Sequence, residues 1–405
     1  MIIIKRKEKN ELEEKLKAGR WVLLFGRRKT GKSFLVKRFI KWDDFFFVKR
    51  DRSIISEKEG LMEYDSFLKI LKRELERGSI VVVDEFHRLG NDFLDFLHSI
   101  GKVGRLILIS STLFLSKKIF GYKSPILGLV SEMPLGLIDL DDAIKCVKRY
   151  KKSKKEILEN AILVREPIAI TYFDENKTAR ESAVRMILSL IRTVPALIGE
   201  IFLEEERSLS AVYEGVLRAV AQGKITSNEI SDYLYARRDI EKNDPSLVQP
   251  YLKNLVDFGI LRKIEVFGKK KFIYKHSSPL AWLYYYADEK YNISERTISK
   301  EELKRIVDEV FPSIVEDNVR MFLAKKFGLK ETILQKKDLE IDCCLTRFDK
   351  PKVLVEIKWG AVSKKDVRKA EENLSKIKSD KKFLFVQDKS KIESRLRVMD
   401  VNDLL

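Results

Sequence analysis

The sequence has few of the residues that build disulfide-linked, zinc-bound or histidine-dependent sites. Its 405 residues include three cysteines and three histidines. Cys343 and Cys344 are adjacent and Cys146 stands alone, so they offer neither a paired disulfide framework nor a zinc-ligand spacing. The histidines are scattered and suggest no catalytic triad: His87, His98 and His276. A reducing compartment is the simplest setting for this cysteine usage.

Long apolar runs are also missing. No segment approaches the roughly 20 apolar residues that a membrane-spanning helix needs. The start, "MIIIKRKEKNEL", has four apolar residues before charge resumes, which is too few for the core of a signal peptide. The sequence contains no internal repeat and no low-complexity segment. We therefore expect a soluble, cytoplasmic protein without a membrane partner.

Positive charge and apolar residues are plentiful. Lys and Arg number 80 against 62 Asp and Glu, giving a net charge of +18, and 44% of the residues are hydrophobic. The hydrophobic fraction argues against disorder, and the length allows two or three domains. The charge imbalance favours polyanion partners such as nucleotides or nucleic acid.

Strands and helices alternate up to about residue 205, which predicts an α/β fold with a parallel sheet. Short buried-strand runs occur at 21–26, 79–85 and 105–111, with amphipathic helical stretches between them. Residues 140–205 look mostly helical. We assign 1–205 to an α/β core that carries this helical segment.

After residue 205 the pattern changes to three short helices and a hairpin, which resemble a winged helix-turn-helix over 206–278. Thr226 and Glu229 predict a capping box at the start of one helix. Ser246 predicts the N-cap of the next helix. The hairpin at 262–275 carries six basic residues against one acidic residue, which predicts a phosphate contact. Such modules also serve as lids or protein-docking surfaces, and this alternative stays open.

The run "GRRKTGKS", residues 26–33, fits the phosphate-loop pattern G-x-x-x-x-G-K-[ST] between an apolar strand and an amphipathic helix. Gly26 and Gly31 let the backbone fold tightly, so that successive N–H groups surround phosphate oxygens. Lys32 is expected to reach the β- and γ-phosphates, and Ser33 is expected to ligate Mg²⁺. The other loop residues are expected to contribute backbone contacts to the nucleotide: Arg27, Arg28, Lys29 and Thr30.

Acidic and hydroxyl residues end two further strand runs. Asp84 follows four apolar residues and is placed to hold the Mg²⁺ shell, and Glu85 is placed to orient or deprotonate an attacking water. A strand that simply ends in solvated acidic residues is the alternative. Ser110, Ser111 or Thr112 is a candidate sensor of the γ-phosphate, and we choose Ser111.

"FGRRKTGKSFLVKRFI", "VVVDEFHR", "LILISST" and "SPILGLVSEMPLGLIDL", in this order, resemble the archaeal ATPase family, a P-loop group allied to AAA+ and STAND NTPases. The resemblance implies an ATPase core, a helical lid at about 140–205, a winged helix and a nuclease-like C-terminal domain. It also implies ATP or ADP with Mg²⁺ as cofactors. Lys123 stands where the family often has an arginine. Pro167 keeps the lid proline, while Arg165 and Glu166 replace the lid glycines.

The last part of the chain offers a second set of charged residues. It divides into a helical connector at 279–299 and an α/β domain at 300–405. The runs "LEIDCCLT" and "VLVEIK" predict a hairpin that brings Asp342 and Glu356 together as oxygen ligands for Mg²⁺. Lys358 shares a face with Glu356, and Glu316 lies on an upstream helix. In helix–strand–strand order, these residues resemble the PD-(D/E)xK nuclease superfamily, which implies metal-dependent cleavage of phosphodiesters.

The sequence therefore predicts an ATP-binding, ATP-hydrolysing, DNA-associated protein that couples nucleotide state to a winged helix and a nuclease-like domain. One alternative is a STAND-like molecular switch that binds a protein or DNA partner and whose nuclease-like domain cuts nothing. Another is a DNA-binding regulator with a mainly structural ATP site. Oligomerisation is possible in each case.

Overall fold

The computed structural model describes residues 2–113, 125–205, 207–336 and 339–405, which form two compact units. We name them the P-loop unit and the carboxylate unit. The P-loop unit comprises Lys5–Leu137 and Leu197–Ser208. The carboxylate unit comprises the N-terminal residues up to Ile4 together with Ile138–Ala196 and Leu209–Leu405. None of the predicted domain boundaries at 205, 278 and 299 coincides with a boundary between these two units. The division into those domains stays a prediction.

The P-loop unit contains a seven-stranded sheet in the order β4-β3-β2-β5-β6-β1-β7. The strands are β1 Trp21–Phe25, β2 Asp44–Val48, β3 Ile54–Ser56, β4 Gly60–Met62, β5 Ile80–Asp84, β6 Arg105–Ser110 and β7 Val130–Pro134. Neighbours among β2, β5, β6, β1 and β7 pair in parallel, which confirms the α/β fold class. Among the described residues, the helices that lie wholly in this unit are α1 Glu8–Lys17, α2 Lys32–Phe39, α3 Tyr64–Glu76 and α4 Asn91–Ile100.

Strand β1 shows why the central strands read as continuous apolar runs. Trp21 and Leu23 pack into a cluster on one side of the sheet, and Val22 and Leu24 pack into another. Both faces of the sheet are therefore covered, as is usual for parallel sheets. The predicted strands β1, β5 and β6 are confirmed to within two residues at each end, whereas the short strands β2, β3, β4 and β7 were not predicted.

The carboxylate unit is rich in helices, and residues 140–205 are mostly helical as predicted. Its helices are α5 Leu140–Val147, α6 Lys154–Val164, α7 Ala179–Leu190, α9 Ala211–Ala221, α10 Ser227–Ala236, α11 Pro245–Asp257, α12 Pro279–Tyr291, α13 Lys300–Phe327 and α14 Lys364–Ser375. The helix between α7 and α9, α8 Thr193–Glu204, begins in the carboxylate unit and ends in the P-loop unit.

Two N-caps were predicted from the sequence, and the first residues of helices α10 and α11 test them. The capping box of Thr226 and Glu229 is present at α10. The predicted cap at Ser246 is wrong, because α11 begins at Pro245 and the carboxylate of Asp244 accepts a hydrogen bond from the backbone N–H of Ser246. An aspartate followed by proline provides an earlier N-cap with proline at the first helical position, where no N–H is needed.

A second seven-stranded sheet lies in the carboxylate unit, in the order β14-β13-β12-β11-β10-β8-β9. Its strands are β8 Leu261–Val266, β9 Phe272–His276, β10 Lys330–Lys336, β11 Leu339–Arg347, β12 Lys350–Lys358, β13 Lys381–Val386 and β14 Arg397–Met399. The hairpin β8–β9 follows helices α9, α10 and α11, and β8 pairs in parallel with β10. The hairpin and the C-terminal strands therefore share one sheet.

Membrane-spanning helices were not expected. In the described part of the chain no single helix has the length and apolarity to cross a bilayer, and one bent pair, α7 with α8, passes that test by length and composition only.

Candidate functional site

Strand order brings the predicted nucleotide residues to one edge of the first sheet. The phosphate loop follows β1, Asp84 ends β5, and β6 lies between these two strands. Phe25 is paired with Ser110, and Asp84 is paired with Ile109. The carboxyl ends of three neighbouring parallel strands thus carry the loop, the acidic pair and the hydroxyl cluster, which is where open α/β sheets bind ligands.

The conformation of the loop requires its glycines. Gly26 has φ 154° and Gly31 has φ 87°, and Lys29 also adopts a positive φ of 63°. A Cβ added at Gly26 would lie 2.2 Å from the carbonyl oxygen of Leu135. A side chain at position 26 therefore requires the backbone of the loop or of its neighbour to move.

Arg6 supports the loop from outside and was not predicted from the sequence. Its buried guanidinium donates hydrogen bonds to the carbonyl oxygens of Thr30 at 2.9 Å and Gly136 at 3.1 Å. Glu8 pairs with the same guanidinium at 2.8 Å. A lone arginine near the start of a lysine-rich segment gives no signal of such a contact in the sequence.

Lys32 folds back on the loop that precedes it. Its ammonium donates to the carbonyl oxygens of Gly26 at 2.7 Å and Arg27 at 3.0 Å. Burial lowers the pKa of Lys32 to about 8, although Glu85 and Asp84 favour its charged form. A phosphate group close to this ammonium would replace the lost hydration and favour the charged form.

Asp84 and Ser33 form the predicted magnesium pair. Burial raises the pKa of Asp84 to about 6, and the hydroxyl of Ser33 donates a hydrogen bond to its carboxylate that opposes this rise. Among the described residues, the buried Oδ1 atom of Asp84 has no hydrogen-bond partner. A buried carboxylate oxygen without a donor fits a site for Mg²⁺, a cation that prefers oxygen ligands.

Glu85 is held in an unusual backbone conformation. Its φ is 59°, a region that non-glycine residues seldom occupy. The hydroxyl of Ser111 donates to Glu85 Oε2 at 2.7 Å, and His87 Nδ1 lies 3.5 Å from the same oxygen. Ser110 contacts His87 Nδ1 at 3.2 Å. The structure therefore brings the proposed water-orienting carboxylate and the proposed sensor hydroxyl into direct contact.

Glu204 completes a charge cluster beside this site that sequence analysis did not find. Its carboxylate accepts from Arg28 at 2.9 Å and from Arg88 at 2.8 Å, and it contacts His87 Nε2 at 3.0 Å. Burial alone would raise the pKa of Glu204, but the bond to His87 and the charge of Arg88 outweigh it and lower the pKa to about 2. The only sequence signal was the position of Arg28 inside the loop.

Glu85, His87 and Glu204 also offer metal-ligand atoms within 4.8 Å of one another. Two arginines already neutralise the carboxylate of Glu204, so this triplet is better described as part of an ion-pair network.

Two further predictions concern Lys123, at the position where the family often has an arginine, and Pro167, the lid proline. Lys123 lies outside the described residues. Pro167 opens a short 3₁₀ helix in the carboxylate unit, whereas the loop lies in the P-loop unit. The residues that replace the lid glycines have contacts of their own: Arg165 donates to the Ile138 carbonyl at 2.9 Å, and Glu166 accepts from the Leu280 backbone N–H at 3.0 Å.

The second sheet assembles the predicted carboxylate set. Lys358 Nζ lies 3.1 Å from Glu356 Oε2 and 3.5 Å from Asp342 Oδ2. Asp342 also accepts from the backbone N–H of Ile357 at 2.8 Å. These side chains line a cleft of about 590 Å³ whose opposite wall is helix α14. The hairpin β11–β12 was predicted correctly, and it brings Asp342, Glu356 and Lys358 together.

Crowding of carboxylates controls protonation in this cleft. Burial, with the charge of Asp342, raises the pKa of Glu356 to about 8. Burial, again with the charge of Asp342, raises the pKa of Glu316 to about 7. Burial would lower the pKa of Lys358, but the adjacent carboxylates raise it. Several oxygen ligands that repel one another fit a divalent cation, whose charge would offset the repulsion.

Arg320 connects Glu316 to this cleft and was not predicted. One of its nitrogens, Nη1, donates both to Glu316 Oε1 at 3.1 Å and to the carbonyl oxygen of Asp342 at 3.0 Å. The side chain is 1% exposed and also pairs with Asp317 and, at 3.0 Å, with Glu331. Such a buried arginine fixes the helix that carries Glu316 against the strand that carries Asp342.

The basic hairpin divides into inward and outward residues. Arg262 pairs with Asp317 and, at 2.8 Å, with Glu331. Burial lowers the pKa of Lys275, whose ammonium lies 5.0 Å from the centre of the Trp282 ring. The outward group is exposed to solvent: Lys263, Lys269, Lys270 and Lys271. Two of the six basic residues are thus structural.

A distant sequence relative covers most of this chain. The sequence matches no protein-family model. An uncharacterised protein of Methanocaldococcus jannaschii is 23% identical over 415 residues, covering 91% of this chain and 90% of that protein.

Among solved structures, the Walker-type ATPase PABY2304 of Pyrococcus abyssi aligns with a TM-score of 0.51 and 21% identity, covering 70% of this chain and 96% of that chain. This likeness shows that the two chains share a fold. The ORC2 protein of Aeropyrum pernix, in ADPNP and ADP complexes, aligns with a TM-score of 0.40 and 13% identity over 79% of this chain and 96% of that chain.

Proposed function

We propose that this chain is an ATPase that binds ATP with Mg²⁺ and associates with DNA, and that its nucleotide state controls a metal-dependent, nuclease-like domain. The observation that carries the ATPase part is the alignment of the phosphate loop, the Asp84–Glu85 pair and Ser111 at the ends of three neighbouring strands. The fold shared with a Walker-type ATPase supports the same assignment.

In the nucleotide site, the backbone N–H groups of residues 26–33 and the ammonium of Lys32 bind the phosphates. Ser33 and Asp84 hold Mg²⁺, which neutralises phosphate charge when bound. Glu85 orients the attacking water and accepts its proton, and the hydroxyl of Ser111 fixes the carboxylate of Glu85 in place.

In the carboxylate cleft, Asp342 and Glu356 hold a divalent cation, which polarises the scissile phosphate when bound. Lys358 contacts both carboxylates and is placed to stabilise negative charge on the phosphate. Glu316, oriented by Arg320, is the base for an attacking water. This assignment places the C-terminal strands in a PD-(D/E)xK-like arrangement, and it places helices α9, α10 and α11 with hairpin β8–β9 in a winged helix.

A nucleotide-dependent switch of the STAND type is the second candidate, and one observation favours it. Glu204 pairs with Arg28 inside the phosphate loop, and Glu204 ends helix α8, which begins in the other unit. A nucleotide that draws Arg28 toward its phosphates would break this pair and act on that helix. In this case the carboxylate cleft binds a partner without cutting it. Either protein would work in the cytoplasm.

The test compares wild type with Glu85→Gln and Lys32→Ala for ATP binding and phosphate release. Glu85→Gln should retain ATP binding and lose hydrolysis, whereas Lys32→Ala should lose both. Cleavage of labelled single-stranded, duplex and branched DNA with Mn²⁺ is measured on the same preparations. Loss of cutting in Asp342→Ala and Glu356→Ala supports the nuclease, and absence of cutting in wild type with intact hydrolysis supports the switch.

A further inference from the structure

The turn of hairpin β8–β9 and the carboxylate cleft lie at the same end of the second sheet, measured along the strands. β8 runs parallel to β10, with Val266 opposite Ile333. β10 runs antiparallel to β11, with Leu334 opposite Ile341. The chain that leaves β8 after Val266 therefore turns level with the part of β11 that leads into Asp342.

The strand order fixes how far apart these features are. Two strand spacings separate β8 from β11, which carries Asp342, and three separate it from β12, which carries Glu356. Adjacent strands lie about 4.8 Å apart, so the turn after β8 lies roughly 10 Å from the first strand and roughly 15 Å from the second.

The turn itself consists of Gly268 followed by three lysines, Lys269, Lys270 and Lys271, which we name the lysine turn. All three are exposed, as is Lys336 at the end of β10, which lines the cleft. Lys369 of helix α14 is exposed on the opposite wall of that cleft. Within the described residues none of these five lysines has a carboxylate at ion-pair distance, in contrast to Arg262 of the same hairpin.

We propose that the lysine turn and Lys336 bind consecutive phosphates of a nucleic-acid strand whose path continues along the sheet edge into the carboxylate cleft. Phosphates of one DNA strand advance about 3.4 Å along the helix axis, so 10–15 Å corresponds to about three or four phosphates. A regular polyanion of this spacing fits a row of unpaired lysines better than the irregular charge of an acidic protein surface. The proposal deepens the proposed function of the cleft by adding the surface that positions its substrate.

The test measures binding without chemistry. A fluorescein-labelled 30-nucleotide single strand and its duplex are titrated with the full-length protein in EDTA, over a series of NaCl concentrations, by fluorescence anisotropy. The variant Lys269→Gln/Lys270→Gln/Lys271→Gln is compared with a charge-matched control at the opposite edge of the same sheet, Arg347→Gln/Lys350→Gln/Lys381→Gln. All six positions are exposed, and unchanged melting temperatures verify the folds of both variants.

The lysine-turn variant should bind about tenfold or more weakly near 0.1 M salt, and its salt slope should fall by roughly two to three. The control should change the slope by less than about one. Equal losses in both variants would overturn the proposal, because net charge alone would explain them. Competition by polyglutamate as effective as that by DNA would also overturn it, in favour of an acidic protein partner. Failure of the proposed nuclease activity would appear as absent Mn²⁺-dependent cutting with this binding difference intact.

Discussion

Lys32 and Lys358 are both withdrawn from full solvent, yet their surroundings act on them in opposite directions. Lys32 bonds to two neutral carbonyl groups, and burial lowers its pKa to about 8. Lys358 contacts two carboxylates, and these raise its pKa although burial opposes the rise. The first lysine needs an anion from outside the chain, and the second already has its anions.

The carboxylates of the two sites also differ, in how far their pKa values are raised. Asp84 is buried near Lys32 of the phosphate loop, and its pKa is raised only to about 6. Glu356 lies beside Asp342, and its pKa rises to about 8. The phosphate-loop site is therefore short of negative charge and suited to a polyphosphate, whereas the cleft is crowded with negative charge and suited to a divalent cation.

The largest expected effect distinguishes the two lysines. Lys32→Ala should weaken ATP binding by about 100-fold or more, because charge-assisted hydrogen bonds to phosphate are worth roughly 1.5–3 kcal/mol each. Lys358→Ala should leave ATP affinity unchanged. Titration with a fluorescent ATP analogue measures the affinity of each variant. Equal losses of affinity in the two variants would contradict the different roles assigned to Lys32 and Lys358.

A backbone change should produce the next largest loss of ATP affinity. Gly26→Ala places a methyl group against the Leu135 carbonyl, so we expect roughly a tenfold to hundredfold loss of ATP affinity. Gly136→Ala is the matched control, since a Cβ at that position meets no atom within 4 Å. Similar affinities for the two variants would show that the loop can rearrange without penalty.

The cleft should bind metal in a pH-dependent manner. Glu356, with its pKa raised to about 8, must lose its proton when a cation binds. Mn²⁺ affinity measured by calorimetry should therefore rise by about tenfold per pH unit between pH 6 and 8. Asp342→Asn removes the repelling charge, so its weaker Mn²⁺ binding should depend less on pH; a wild-type affinity that is flat from pH 6 to 8 would contradict this charge model.

The same crowding predicts how stability depends on pH. A glutamate whose folded pKa lies above its ordinary 4.5 keeps a proton that the unfolded chain loses, so its contribution to stability falls as pH rises from 4.5 through about 8. Without added metal, the melting temperature of Asp342→Asn should therefore increase relative to that of wild type as pH rises through this window.

Glu204 should change the pH dependence of stability with the opposite sign. Its pKa is lowered to about 2, so its stabilising contribution is present above the ordinary value of 4.5 and is lost as pH falls toward 2. Glu204→Gln should lower the free energy of unfolding by about 1–3 kcal/mol at pH 6. Urea unfolding should show this difference shrink by pH 3, and a constant difference would assign the loss to packing.

Local patterns predicted the parts of each site that lie close in sequence. The phosphate loop, Asp84 with Glu85, and the hairpin that carries Asp342 and Glu356 depend on spacing within a few dozen residues, and all were found where expected. Arg6 and Glu204 were missed because they have partners that are distant in sequence: Arg6 lies 130 residues from Gly136, and Glu204 lies 176 residues from Arg28. Arg320 was missed although its partners lie 3 to 22 residues away, because its burial depends on how its helix packs against the sheet. A single charged residue in a chain with 142 charged residues, 80 basic and 62 acidic, carries no mark of such a contact.

The pairing of β8 with β10 was also missed because the two strands are distant in sequence. Helices α12 and α13 separate them in the chain. Its consequence concerns how the protein tolerates being cut. A chain that ends at residue 299 retains β8 and β9 but loses every other strand of their sheet, leaving the parallel edge of β8 with unpaired N–H and C=O groups. Open edges of this kind attract other strands, so a shortened chain ending there should aggregate although it stops at a loop. A shortened form of the chain should therefore keep hairpin β8–β9 together with the C-terminal strands of the same sheet.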